Sequence, residues 1–177
     1  MIKLRRLQEK DAPFMIEWMH DPEIQQCFRK DMKHMSPEQV KDFCTRAYLK
    51  NDIEEGGALH YAIVDDCDDE YLGTISLKNI SLRDRSAEYA IATRKCAHGK
   101  GIAAEATRLI LKEGFNNRHL HRIYLNVLHD NVRAIKFYEK CGFRYEGEFA
   151  EAVYMPDSCG GGGWKALRWY AILENET

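Results

Sequence analysis

A Gly-Lys-Gly sequence, Gly99 to Gly101, stands mid-chain between an alternating segment and an Ala-rich helical segment. Glycine adopts left-handed backbone conformations at little cost, so this pair predicts a tight turn directly before a helix. The first N–H groups of a helix have no intrahelical partner, and the helix dipole favours an anion beside them. Taken alone, the turn is compatible with a phosphate site and equally with a plain structural turn.

The residues around the turn exclude one common phosphate motif and disfavour another. A P-loop has four residues between its glycines and a Lys-Ser/Thr pair after them, and neither is present. A dinucleotide fingerprint has a third glycine, where this chain has Ala104, and it follows the first strand of a parallel unit. Here three strand-like segments with short connections precede the turn, which predicts an antiparallel meander.

The hydrophobic periodicity predicts the element order β-α-α-β-β-β-α-β-α-β-β. Strands are predicted over 2–7, 58–65, 71–80, 85–93, 121–128, 143–154 and 165–173, and helices over 11–28 (broken at Pro22), 36–50, 100–117 and 131–142. Because no repeat or linker divides the chain, we expect one domain over 1–177, with helices on both faces of one mixed sheet.

Local signals support several of these boundaries. Ser36 and Gln39 form a capping-box pattern at one helix start, and Gly142 is placed to end the helix that begins at Asn131. The acidic run at 65–70 predicts a solvated hairpin tip. No helical pattern follows the glycine run at 160–163, so we expect a hairpin loop there and not a nucleotide loop.

Composition narrows the possible partners. The chain has 26 basic and 28 acidic residues and a net charge of −2, which gives no electrostatic case for nucleic acid or an anionic membrane. No apolar run reaches the roughly 20 residues that span a bilayer, and the first residues lack a signal-peptide core, so we expect a cytoplasmic protein. The six cysteines and seven histidines show no disulfide framework and no metal-ligand spacing.

A second polar pattern follows the turn. Asn131, Ala134 and Tyr138 stand at i, i+3 and i+7, so they lie on one face of the predicted helix. This stripe fits an extended polar ligand lying beside the helix. The alternative is that Tyr138 packs in the core with Ile135.

Together the two patterns resemble the GNAT superfamily of N-acetyltransferases. The segment "HGKGIAAEA" is similar to the acetyl-CoA pyrophosphate loop of that family, and "NVRAIKFYEKCGF" to its N-x-x-A-x-x-x-Y-x-K-x-G-F motif. One helix and one strand separate them, as in the family, and the resemblance covers nearly the whole chain. The opening segment resembles the branch that contains ribosomal-protein N-terminal, polyamine and amino-sugar acetyltransferases, and two later segments are most similar to the polyamine members.

The resemblance implies an α/β (α+β) fold with one mixed, mostly antiparallel sheet of six or seven strands and splayed central strands. It implies acetyl-CoA as co-substrate and no metal. The implied contacts to acetyl-CoA come from the end of one strand (Ile91, Ala92, Thr93), the cradle (His98, Gly99, Lys100, Gly101, Ile102, Ala103), the next strand (Asn126) and the following helix (Asn131, Ala134, Phe137, Tyr138).

The same resemblance implies direct attack of an amine on the thioester. Tyr138 would protonate the departing thiolate, since a phenol has a pKa of about 10. Either Glu88 or a water chain would accept the proton of the amine. The alternative for Glu88 is a structural ion pair or an exposed carboxylate. Cys96 stands where the family often has Arg or Gln, so the cradle is expected to act mainly through its backbone.

The acceptor stays open at this point. A small amine (polyamine or amino sugar) and a protein N-terminus are both compatible with the motifs, and so is a sensor that binds CoA without catalysis. Five acidic residues in the first third could favour a cationic amine or simply lie on the solvated surface: Glu17, Asp21, Asp31, Glu54 and Glu55. The branch also implies a homodimer or larger homo-oligomer, for which exposed strands near the C-terminus would provide pairing edges.

Overall fold

Seven strands form one mixed sheet in the computed structural model, which describes residues 1–25, 32–50, 52–156 and 161–176. They are β1 (Ile2–Arg6), β2 (Leu59–Asp65), β3 (Tyr71–Ser81), β4 (Ser86–Thr93), β5 (Arg122–Leu128), β6 (Arg144–Pro156) and β7 (Gly162–Leu173). The strand order is β1-β2-β3-β4-β5-β7-β6, and every neighbouring pair is antiparallel except β4 with β5. The predicted mixed, mostly antiparallel sheet is confirmed.

Within the described residues there are five α-helices: α1 (Ala12–Met19), α2 (Pro22–Gln25), α3 (Pro37–Leu49), α4 (Ile102–Lys112) and α5 (Val132–Lys140). The predicted break at Pro22 is confirmed. The predicted helix over 100–117 is instead α4 followed by a π-helical turn, Glu113–Asn117. A capping box between Ser36 and Gln39 begins α3, and Gly142, with φ +96°, follows the end of α5.

The glycine run differs from its prediction. Gly162 and Gly163 are not in a loop, because they belong to β7 and pair with Pro156 and Met155 of β6. Cys159 and Gly160, at the start of the run, lie outside the described residues.

Strand alternation divides the buried side chains between the two faces of the sheet. On β2, Leu59 and Ile63 pack in the core that contains residues of α4 and α5. Ala62 and Val64, the neighbours of Ile63 on β2, pack with residues of α1 and α3 on the opposite face. The prediction of helices on both faces is therefore confirmed.

An ion-pair network ties β1 to the β2–β3 hairpin. The Arg5 guanidinium is 2.8 Å from the buried Asp11 carboxylate and 2.9 Å from Asp69, and the Lys10 ammonium is 2.6 Å from Asp69. Asp66 to Asp68 are exposed, as expected of a solvated tip. Asp69 is the exception, because its carboxylate holds the hairpin against the start of the chain.

Within the described ranges, no helix combines the length and apolarity that crossing a bilayer requires. The same residues contain no group of three or more His, Cys, Asp or Glu side chains that could hold a metal. Cys44, Cys67, Cys96 and Cys141 are free thiols, and Cys27 and Cys159 lie outside the described ranges.

Replacing Asp69 by Asn is expected to flatten the acid dependence of stability. Hydrogen bonds from Lys10 and Arg5 lower the pKa of the Asp69 carboxyl from 3.8 to about 2. Because the folded-state pKa is lowered, the ionised carboxylate stabilises the fold above about pH 4, and this contribution is lost as the pH falls towards about 2. Urea unfolding at neutral pH and at about pH 3 should show a lower neutral midpoint and a smaller acid-induced drop in D69N. Asp42→Asn, in an exposed pair on α3, is the control; an equal change in both variants would contradict the assignment.

Candidate active site

The two parallel strands separate at the centre of the sheet. β4 and β5 pair over Ser86–Glu88 and Arg122–Tyr124, and beyond these residues they diverge. The predicted splay is confirmed. A cleft of about 1140 Å³ opens at the fork. Its volume exceeds the roughly 300–1000 Å³ typical of small-ligand pockets, so the cleft suits a long ligand.

One edge of the cleft is open backbone of β4. The N–H of Arg94 donates to the Leu72 carbonyl at 2.9 Å, and Ala92 lies opposite Thr74 in the same register. Because antiparallel strands alternate the direction of their backbone groups, those of Ala92 face β3 and those of Ile91 and Thr93 face the gap. Ile91, Ala92 and Thr93, for which contacts to acetyl-CoA are predicted, all line the cleft.

The cleft continues to the glycine turn before α4. Gly99 and Gly101 have φ values of +74° and +75°, and a Cβ on either would meet no heavy atom within 4 Å. Glycine is therefore required by the backbone conformation, and the space in front of the turn is open. The N-terminus of α4 has no side-chain cap, whereas Ser36 caps α3 and Asn131 caps α5. Its first N–H groups are therefore available to a ligand.

The structure brings most of the predicted cradle residues to the cleft. His98, Gly99, Gly101, Ile102 and Ala103 all line it. Lys100 is the exception, because its side chain is exposed and lies outside the lining. Cys96 is also exposed and outside the lining, in agreement with a cradle made of backbone.

The helix α5 presents its predicted stripe to the same cleft. The Asn131 side-chain oxygen accepts a hydrogen bond from the Ala134 N–H at 3.2 Å, which leaves the side-chain amide N–H groups for other contacts. Tyr138 lines the cleft and is half-buried, and its ring meets Tyr89 edge-on at 5.9 Å. Ile135 is the residue of this helix that is buried in the core. Asn126 of β5 and Phe137 of α5, two further contacts that the resemblance implies, also line the cleft.

The sequence reading missed two cations on α5. Arg133 and Lys140 line the cleft and are exposed. With Phe137 they stand at i, i+4 and i+7, the spacing that places residues on one helix face. That spacing is visible in the sequence. The sequence alone does not show that this helix face borders the cleft, which becomes clear only from the positions of Asn131 and Tyr138 in the structure.

Glu88 stands at the point of the fork, on the other face of the sheet. Its neighbour Tyr89 points to Tyr138, so alternation turns Glu88 away from α5. Its carboxylate oxygens accept hydrogen bonds from Lys78 at 3.2 Å and from Asn79 at 2.6 Å. Burial and, after it, the Glu88 charge raise the pKa of Tyr124, which lies opposite Glu88 on β5. The predicted base is thus a buried, ion-paired carboxylate at the cleft.

Of the five acidic residues named above for the first third of the chain, the four that the structure describes do not line the cleft, although Glu23 does. Those that the structure describes each bind within the chain: Glu17 to Arg94, Asp21 to Lys95, Glu54 to Lys50 and Glu55 to the Leu82 N–H. Asp31 lies outside the described residues. The four described carboxylates therefore form no cluster in the cleft for a cationic ligand.

Comparisons with known proteins place these features in a family. Residues 2–144 match the model of the acetyltransferase (GNAT) domain. The chain is 36% identical over 155 residues to a spermidine N(1)-acetyltransferase of Escherichia coli (strain K12), covering 87% of this chain and 78% of that protein. It is 29% identical over 154 residues to a spermidine N(1)-acetyltransferase of Vibrio cholerae serotype O1, covering 87% and 85%.

The fold comparison agrees. A crystal structure of spermidine N-acetyltransferase from Vibrio cholerae in complex with CoA and spermine superposes with a TM-score of 0.84 at 24% identity, covering 99% of this chain and 96% of that one. At this identity, the superposition establishes a shared fold.

Proposed function

The chain belongs to the GNAT acetyltransferase family, and we propose that it transfers the acetyl group of acetyl-CoA to a primary amine of a polyamine. The observation that carries this proposal is the fork between β4 and β5. An uncapped helix and Tyr138 stand on one face of the sheet at the fork, and Glu88 stands on the other. The two spermidine N(1)-acetyltransferase relatives support the polyamine acceptor.

The residues of the cleft fit acetyl-CoA, which supplies the reactive thioester. The open space before Gly99 and Gly101 and the free N–H groups of α4 suit its pyrophosphate. Arg133 and Lys140 add positive charge along the cleft. The gap-facing backbone groups of Ile91 and Thr93, like those of an edge strand, can pair with the amides of the pantetheine arm.

The proposed reaction has two proton transfers, and a different ionisable side chain carries out each one. An amine must lose its proton before it attacks, and Glu88, directly or through water, is the proposed acceptor at the fork. Lys78 and Asn79 hold the Glu88 carboxylate there. Tyr138 is the proposed donor to the sulfur of CoA as the carbon–sulfur bond breaks. Separate faces keep the donor and the acceptor apart.

We assign this activity to the whole of residues 1–177 as one acetyltransferase domain. The support is that a single sheet contains β1 from the start of the chain and β7 from its end. A cytoplasmic location stays a prediction of the sequence.

Tyr138→Phe is expected to lower turnover at saturating acetyl-CoA by about ten- to a hundredfold, because the thiolate loses its proton donor. Release of free CoA thiol measures the rate. Tyr154→Phe, an exposed tyrosine on β6, is the control and should keep full turnover. Full turnover in Tyr138→Phe would remove this residue from the donor role.

Gly101→Val is expected to weaken CoA binding by about tenfold or more. A left-handed conformation costs a residue with a Cβ about 1–2 kcal/mol, and a turn that relaxes would misplace the N–H groups of α4. Cys96→Ala, three residues before Gly99, should bind CoA as the native protein does. Titration calorimetry with CoA measures both, and equal affinities would show that the turn does not hold the cofactor.

The acceptor is tested by acetyl-CoA consumption over a matched panel: spermidine, spermine, glucosamine and a peptide with a free N-terminus. We expect the highest kcat/KM for the polyamines. Preference for the peptide would indicate a protein N-terminal acetyltransferase. Tight CoA binding without turnover on any amine would indicate a sensor.

We also propose that two copies associate through the edge strand β6. Four large aromatic side chains near this edge are half or more exposed: Tyr145, Phe149, Tyr154 and Trp164. Light scattering should give twice the chain mass of 20.6 kDa. Phe149→Lys should shift the protein towards monomer, whereas Tyr48→Lys on α3 should not. A monomeric native protein would refute the association.

A further inference from the structure

Tyr89 on β4 carries a buried hydroxyl for which the transfer described above has no role. The residue is 3% exposed, and its hydroxyl lies 2.8 Å from Thr107 Oγ1 on α4. The Thr107 hydroxyl donates its single proton to the Ala103 carbonyl at 2.7 Å. Thr107 therefore accepts from Tyr89, and the direction of both hydrogen bonds is fixed. Burial also raises the pKa of Tyr89 well above 10, so its phenol stays a donor.

The ring of Tyr89 lies against the proposed proton donor. Tyr89 and Tyr138 meet edge-to-face, with ring centres 5.9 Å apart and planes at 86°. Phe143 closes the group, with its ring centre 5.3 Å from Tyr89 and 6.1 Å from Tyr138. Contacts of this geometry orient rings as well as bury them. The orientation of Tyr138 thus depends on where the Tyr89 ring is held.

We propose that Tyr89 is a positioning residue for Tyr138, held in place through Thr107 by the helix that forms the cradle. The proposal rests on the proposed function of Tyr138 as proton donor. Ala103 lies in the first turn of α4, beside the cradle, and Thr107 lies one turn further on. The Thr107 hydroxyl therefore connects the cradle helix α4 to Tyr89 on β4, and the Tyr89 ring extends this connection to Tyr138 on α5.

The first test is Tyr89→Phe, which removes one hydroxyl and keeps the ring. We expect kcat to fall about tenfold, because a small misplacement of a reacting group is costly, while KM for acetyl-CoA stays within about twofold. Thr107→Val should reproduce this loss, and Thr107→Ser, which retains the hydroxyl, should restore kcat. The matched control is Tyr61→Phe on β2, outside the cleft, which loses the tyrosine hydrogen bond to Glu113.

A double variant separates positioning from a general loss of stability. If Tyr89 acts through Tyr138, adding Tyr89→Phe to Tyr138→Phe should cost no further turnover. The same tenfold loss in both backgrounds would overturn the proposal, as would an unchanged kcat in Tyr89→Phe. Full turnover in Tyr138→Phe alone would instead refute the proton-donor role, and the positioning role would fall with it.

Discussion

Beyond Glu88 and Tyr124, the facing backbone groups of β4 and β5 no longer bond each other. A buried backbone group without a partner costs about 1–3 kcal/mol, so such groups must face solvent or a ligand. β3 covers the other edge of β4, and β7 covers the other edge of β5. Neither strand can close the gap without losing that pairing. The cleft is therefore a property of the sheet and not of a loop.

The same strand pair explains where the cradle lies. Parallel neighbours need a crossover connection, and here the connection from β4 to β5 contains α4. The chain leaves β4 at the open end of the fork, so α4 begins beside the unpaired backbone. Positive φ values at Gly99 and Gly101 reverse the chain there without a side chain in the space ahead. This one connection thus allows β4 and β5 to pair in parallel, and it places the N-terminus of α4 beside the open backbone edge of β4.

Features set by local spacing could be predicted from the sequence. The glycine turn, the Asn131 to Tyr138 stripe and the capping box at Ser36 each involve residues within two helical turns, and each lies where expected. Features set by strand register could not, because one residue of slip exchanges the two faces. The contacts of Glu88 with Lys78 and Asn79 depend on the β3–β4 register. The contacts of Asp69 with β1, and the pairing of Gly162 in β7, depend on register in the same way.

Strand alternation has a chemical consequence at the fork. Glu88 and Tyr89 are consecutive, yet one points to Lys78 and the other to Tyr138. In the proposed transfer, an amine that attacks through the gap leaves its proton on one face of the sheet, while the sulfur receives a proton on the other. A donor and an acceptor on the same face could hydrogen-bond to each other instead of to the reactants. One peptide unit thus directs Glu88, the proposed acceptor, to one face and Tyr89, which packs against the proposed donor Tyr138, to the other. Hydrogen bonds with Lys78 and Thr107 hold these two side chains in those directions.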